Sequence, residues 1–578
     1  MDMVAHAEIK NLSFVYADEN EKALQHISLS VQKGEFIALA GGSGSGKTTL
    51  LKHFKKELLP IGKRTGDTYY DGTLLENVPD LLSAQEIGMV FQNPENQLVM
   101  DTVIQELAFS LENIGLPSHI IQKRIAELIS FLGFQDLLHQ SVHTLSGGQK
   151  QLVNLAAVLV MQPKLLLLDE PTAQLDPIAA KEFLGLLKRI NEELGITIVL
   201  SEHRLDEVIP LATRVICMNN GRIVYDGSPK TVVANMWEVE KFRPFIPQIP
   251  RLFLEWNAKD IPFTVREAQM KLNDFLAISY VSEPIVQSEK QEVILSAEHI
   301  SFQYEKNNPL ILRDLTVSIE KGKWVALVGK NGTGKSTLLT ILAGLQKARR
   351  GKVKWNGKVI HKIDSKERFK SIGYVSQHPY YHFTFDTVWD EVYERARELY
   401  GEQGKEIAEH QLKKFWLYGL KERHPHDCSG GEQQLLALCT TLLSKPTLLL
   451  LDEPTKGLDP WKKERVGELF RKLQKEGTTI VMATHDIEFA AKYVDQCMML
   501  FDGAVIMNDA PKEFFSGNFF YTTSINRFIR KELPYALTWR MCTKRVKTIC
   551  CIHNMYFCSN NRHITLYDTY HGWLLHVK

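Results

Sequence analysis

The chain has 578 residues, 44% of them hydrophobic and 24% charged, with 69 Lys and Arg against 68 Asp and Glu. That length suits several domains with buried cores, and a net charge of +1 supplies no global basic field for nucleic acid. No stretch approaches the roughly 18 to 20 consecutive apolar residues that span a bilayer, and the start Met1–Glu8 lacks the basic and apolar regions of a signal peptide, so the sequence predicts sites that face the cytosol.

In the first half, alternating Leu12, Phe14 and Tyr16 predict a half-buried antiparallel strand. The apolar run Phe36–Ala40 then predicts a strand that enters the glycine-rich loop Gly41, Gly42, Ser43, Gly44, Ser45, Gly46, Lys47 and Thr48, with a helix beginning at Thr48 and Thr49. Glycines there let successive N–H groups turn inward around an anion at a helix N-terminus. The pattern predicts that Lys47 reaches the β- and γ-phosphates of a nucleoside triphosphate and that the Thr48 hydroxyl holds Mg²⁺. Leu145, Ser146, Gly147, Gly148 and Gln149 form a second anion-binding turn and helix start, with nothing to bind in its own half if the first loop already holds the phosphates. It is explained if it covers the nucleotide of another domain. Four leucines, Leu165–Leu168, then deliver Asp169 and Glu170 to the end of a buried strand. The division of labour for such adjacent acids is an aspartate for Mg²⁺ and a glutamate to polarise a water.

A connector from about Trp237 to Gln291 is punctuated by Pro244, Pro247, Pro250, Pro262 and Pro284, and Val265–Ala277 has helical periodicity, so a partly ordered linker is predicted. The second half repeats the landmarks with an offset that drifts only from 288 to 282 residues. Ile300, Phe302 and Tyr304 alternate, and Trp324–Val328 enters Gly329, Lys330, Asn331, Gly332, Thr333, Gly334, Lys335, Ser336 and Thr337. Cys428, Ser429, Gly430, Gly431 and Glu432 stand as far before Asp452 as the first turn stands before Asp169, and Leu448–Leu451 leads to Asp452 and Glu453. By position, Lys335, Ser336, Asp452 and Glu453 take the parts of Lys47, Thr48, Asp169 and Glu170. The expected architecture is α/β, with two tandem domains, each built on a largely parallel sheet with ligand at the carboxyl ends of its strands. The boundaries predicted are residues 1–236 and 293–515 for the two domains, 237–292 for the linker and 516–578 for a C-terminal extension. Cys542, Cys550, Cys551 and Cys558 crowd into that extension without two clean metal-ligand pairs, which predicts little regular structure after about Arg540; the other four cysteines are scattered and suit free thiols.

Taken together, the two phosphate loops, Gln92 and Gln377 after apolar strands, the LSGGQ-like turns, the leucine strands ending in Asp-Glu, the later Asp176 and Asp459, and His203 and His485 resemble the ATPase subunits of ABC transporters over roughly residues 5 to 230 and 293 to 515. The resemblance implies an ATPase that uses ATP and Mg²⁺, with P-loop domains that each add an antiparallel β subdomain and a helical subdomain and that pair head to tail within the chain. It places Lys47, Thr48, Gln92, Asp169, Glu170 and His203 in one site, covered by Ser429 and Gly431. The other site would use Lys335, Ser336, Gln377, Asp452, Glu453 and His485, covered by Ser146 and Gly148. It assigns Glu170, His203, Glu453 and His485 to catalysis, and Thr48, Gln92, Asp169, Ser336, Gln377 and Asp452 to Mg²⁺. Tyr16 and Tyr304 fit either an adenine stack or the core. Val90–Val99 and Glu106–Asn113 are similar to the same segments of energy-coupling factor ATPases, the motors of micronutrient importers, with a thiamine-type pyrimidine as cargo; Gln377–Tyr381 departs from that pattern. The implied place is the cytoplasmic side of the cell membrane, with integral transmembrane coupling and substrate-binding subunits as partners. A soluble tandem protein acting on ribosomes is the alternative, disfavoured by the short proline-rich linker and the balanced charge. Glu432, a carboxylate in the second signature, predicts slower hydrolysis at the first site if it faces the phosphates.

Overall fold

A computed structural model describes residues 5–17, 21–272, 292–306 and 308–542, and the backbone of 564–567 and 574–577. Each half holds two sheets. In the first half Leu24–Val31, Ala7–Tyr16, Gly62–Tyr70 and Thr73–Leu74 form an antiparallel four-stranded sheet in that order. A six-stranded sheet runs Arg222–Gly227, Arg214–Asn219, Phe36–Gly41, Thr197–Ser201, Leu165–Asp169, Ile87–Val90. It is parallel throughout except at the Arg222–Gly227 edge. The second half repeats both sheets, with Trp324–Val328 between Thr479–Ala483 and Gln496–Phe501, and Leu448–Asp452 beside Thr479–Ala483.

The central strands are buried on both faces, which is why their sequences are continuous apolar runs rather than alternating ones. Phe36 and Leu166 face one core of the first half, Ile37 and Leu167 the other. A helical layer, Val103–Asn113, Ser118–Leu132 and Gly147–Leu159, has its own core of Val103, Leu107, Ile125 and Val153. Its counterpart is Val388–Tyr400, Gly404–Lys414 and Gly430–Leu442. This layer carries the signature turn on the first residues of its last helix, apart from the sheet that carries the phosphate loop.

The connector is more ordered than its prolines suggest. Helices Gln248–Glu255 and Val265–Lys271 pack on Ser524–Ile529 of the C-terminal extension, and Leu252, Phe253 and Ala268 share one core with Ile525, Phe528 and Ile529. The predicted helical period after Leu272 lies outside the described residues. So does most of the cysteine-rich tail, of which Ile564–Tyr567 and Leu574–Val577 pair as an antiparallel ribbon. Cys217, Cys428, Cys439 and Cys497 are free and buried, and Cys542 is buried as well.

Candidate active site

Each phosphate loop follows its strand as the sequence predicts, although the helices start at Lys47 and Lys335, one residue early. Gly41 sits at φ +147°, where an added Cβ would lie 2.4 Å from the Met218 carbonyl oxygen, and Gly329 meets the Leu500 carbonyl oxygen in the same way. The sheet therefore fixes both loops through positions only glycine can fill. The Lys47 ammonium is buried and donates to the carbonyls of Gly41 at 2.9 Å and Gly42 at 3.1 Å; Lys335 donates to Gly329 at 2.8 Å and Lys330 at 2.9 Å. Burial lowers the proton affinity of both lysines, against the pull of the acids beside them.

The acids stand at the ends of the leucine strands. Thr48 Oγ1 donates to Asp169 Oδ1 at 3.1 Å, and Ser201 Oγ donates to the same oxygen at 2.6 Å. Burial, then the charge of Glu170, raises the pKa of Asp169. In the second half Ser336 donates to Asp452, which burial also raises, but the counterpart of Ser201 is Ala483. Glu170 and Glu453 adopt φ of +44° and +50°, an uncommon conformation for a side chain of this size and costing about 1–3 kcal/mol. Their N–H groups donate to the carbonyls of Ser201 at 3.0 Å and Ala483 at 2.9 Å on the next strand, which hold the turn.

The two glutamates differ in their surroundings. Glu170 Oε1 lies 2.8 Å from His203 Nε2, and its Oε2 accepts from Gln92 Nε2 at 2.9 Å. Burial acts to raise this carboxyl, yet the His203 charge and hydrogen bond outweigh it and hold the pKa below the ordinary value. Glu453 Oε1 lies 3.1 Å from His485 Nε2 and its Oε2 accepts from the His485 N–H at 3.3 Å. There burial prevails over Lys335 and pushes Glu453 up to about 7, while burial and Lys335 bring His485 down to about 3. Gln377 lines the cavity between the halves rather than repeating the Gln92 bond among the described residues.

The halves meet head to tail. Asp459, which caps its own helix by accepting from Lys462 N–H at 2.8 Å, also accepts from the Ser43 N–H of the opposite phosphate loop at 3.0 Å. The charge of Asp459 acts on Lys47 and that of Asp176 on Lys335. Among the described residues Asp176 Oδ1 accepts from Ile178 and Ala179 of its own helix, both at 3.0 Å. The signature residues are not drawn into these contacts. Ser146 and Ser429 cap their own helices in reciprocal pairs with Gln149 and Glu432, and Gly148 and Gly431 lie in the first turns of those helices. Glu432 Oε2 accepts from the Ser429 N–H at 2.8 Å, so its charge is turned back onto its own helix start, which removes the electrostatic reason for a slow first site. Tyr16 and Tyr304 take matched places: their hydroxyls lie 2.9 Å and 3.2 Å from Thr49 and Thr337, Tyr16 partly buried and Tyr304 exposed.

Two residues escape a motif reading. Lys456 stands where the first half has Ala173, lines the cavity between the halves and is felt at Glu453. Arg204, where the second half has Asp486, donates to the Leu175 carbonyl at 2.6 Å and lines the same cavity. Only subtracting one copy from the other reveals them.

The family model described as ABC transporter matches residues 24–173 and 312–456. A Bacillus cereus protein named "Putative ABC transporter ATP-binding protein" is 98% identical over 93% of this chain and 98% of its own length. A Bacillus subtilis protein named "Putative HMP/thiamine import ATP-binding protein YkoD" is 33% identical over 93% of this chain and 97% of its own. The solved structure of an archaeal ribosome recycling factor, aABCE1, in complex with a ribosomal stalk protein superposes with TM-score 0.56 over 90% of this chain and 92% of that one, at 20% identity, a likeness of fold alone. Both halves carry a phosphate loop, an acid pair and a histidine in matched places, and the chain belongs to the ABC transporter ATP-binding proteins and is a tandem ATPase.

Proposed function

We propose that the chain is the ATP-driven motor of an importer of energy-coupling factor type, in which each ATP is held between the phosphate loop of one half and the serine-glycine-glycine turn of the other. The observation that carries this reading is the Asp459–Ser43 hydrogen bond, which sets the helix start after one acid pair directly on the opposite phosphate loop. The oxygen-only set of Thr48 with Asp169, and Ser336 with Asp452, fits a hard cation. Mg²⁺ held there, with Gln92 and Gln377 as further oxygen donors, would neutralise charge on the β- and γ-phosphates. Lys47 and Lys335 would leave their loop carbonyls for phosphate oxygens, and Glu170 and Glu453, steered by His203 and His485, would accept the proton of the attacking water.

Motion would leave through the surface beside each glutamine. In the second half a groove of about 830 Å³ lies between the sheet and the helical layer, with Phe369 and Phe385 exposed and Glu391, Glu394 and Glu398 along one wall. In the first half Val99 and Ile104 are exposed beyond Gln92. These unlike surfaces suit two different footholds on integral membrane subunits, and among the described residues no helix is long and apolar enough to cross a membrane. The name of the 33% identical relative makes a thiamine-type pyrimidine the first cargo to test. Isolation of the full chain from detergent-solubilised membranes tests the reading: integral subunits co-purify in fixed ratio if it holds, and a chain found only with ribosomes contradicts it.

A further inference from the structure

The two phosphate loops are covered differently on the side that faces the opposite half. At the first, a Cβ added to Gly42 would lie 3.5 Å from Asp459 Oδ2 and 3.9 Å from Phe245 Cζ, so chain already fills that space. At the second, a cavity of about 600 Å³ opens between Gly329 and Lys330, the helix start at Asp176, the linker helix at Val265 and Gln269, and the C-terminal extension. That volume is within the range of small-molecule sites.

Its walls combine two chemistries. Phe519 and Phe520, packed edge to face with ring centres 5.1 Å apart, remain 66% and 75% exposed, and Tyr521 lies beside them. Lys181, Lys330, Arg527, Arg530 and Lys531 supply five positive charges to the lining, against the two carboxylates Asp176 and Glu182. Among the described residues none of the five cations is in an ion pair. Arg527 spends one N–H on the Phe520 carbonyl at 2.7 Å, and Arg530 lies over the Phe519 ring at 5.0 Å. Burial, and then the Arg527 charge, disfavours the Lys181 ammonium, against the pull of Glu207 and Glu488.

We infer that this cavity binds a small aromatic phosphate, its ring against Phe519 and Phe520 and its anionic group among Arg527, Arg530 and Lys181. Such a ligand would touch both halves and the extension at once, so its binding would bias how the halves close over the second phosphate loop and would set the rate of ATP turnover. The cavity's extension residues lie outside the nucleotide machinery, whereas Gly329, Lys330 and His485 on its far wall belong to the second nucleotide site.

The test uses the full chain and 1-naphthyl phosphate as probe, with inorganic phosphate and 1-naphthol as its separate parts. Calorimetric binding of the ester, a change in ATP turnover at saturating probe, and about a tenfold loss of affinity in both Phe519→Ala and Arg530→Gln are expected. Both substitutions are at exposed or half-exposed positions, and their turnover without probe should match the parent chain. Unchanged probe affinity in both variants overturns the inference. So does displacement of the probe by ATP that disappears in Lys335→Ala, because the probe would then occupy the nucleotide site itself.

Discussion

Glu170 and Glu453 occupy matched strand ends and the same strained backbone, yet their neighbours give them different settings. Glu170 is held at both oxygens, by His203 and Gln92, and stays below the ordinary carboxylate range. Glu453 meets His485 and feels the charges of Lys335, Asp452 and Lys456, and burial prevails. The contrast lies at the histidines: the His203 charge and hydrogen bond outweigh burial at Glu170, whereas burial prevails at Glu453 even though Lys456, where the first half has Ala173, acts to lower it; the neighbouring position also differs, with Thr484 in the place of Glu202. Glu202 illustrates the scale of the effect: its carboxylate accepts from the Thr172 N–H at 2.8 Å and the His203 N–H at 2.9 Å, bracing both sides of the first site. The better-braced first site should carry more of the work. Glu170→Gln should therefore remove a larger share of ATP turnover than Glu453→Gln, and equal residual rates would count against this asymmetry. A second carboxyl gives a pH signature away from either site. Glu488 is pushed up to about 7 by burial and then by Asp206, while its Oε1 accepts from Ser524 N–H and Oγ–H, both at 2.8 Å. A carboxyl that binds its proton more tightly in the folded chain favours the fold below its ordinary value of 4.5, and that benefit is lost as pH rises through 7. Glu488→Gln, whose amide oxygen still accepts from Ser524, should leave stability near pH 5 almost unchanged and raise it at pH 8, read as thermal melting across that range.

At the scale of elements, strands and loops were legible and the packing of the linker on the C-terminal extension was not. The phosphate loops, acid pairs and signature turns are short and contiguous, so spacing alone located them, and a buried leucine strand has no alternative use for its residues. The joint core of the linker and the C-terminal extension draws Phe253 from the middle of the chain and Phe528 from near its end, and neither segment shows by its own period what covers it. Pro247 and Pro262 stand at breaks between short helices while Pro244 and Pro250 lie within the helices Glu240–Phe245 and Gln248–Glu255, and none of them signals the packing. The same limit applies to Asp459, which is easily read as a helix cap and performs that task, while its second oxygen bonds the other half. Phe528 is almost wholly buried in the joint core. Its replacement by Ala should cost about 3–5 kcal/mol of local stability, and hydrogen exchange should report that loss in 248–272 and 524–537 while the two central sheets keep their protection.

For the whole molecule, duplication has produced two similar sites inside one asymmetric frame. One phosphate loop is latched by Asp459 and covered by Phe245, and the other opens on a cavity. The proposed sandwich gives the signature turns, which are capped helix starts, an anion to face across the halves, since a helix N-terminus presents free N–H groups to an anion. The most direct measurement is ATP turnover of the full chain in which only one phosphate loop is competent. In a Lys335→Ala background, adding Ser429→Arg should abolish the remaining turnover, whereas adding Ser146→Arg should leave most of it. The opposite result, with Ser146→Arg silencing the Lys47 loop and Ser429→Arg sparing it, would contradict the shared site.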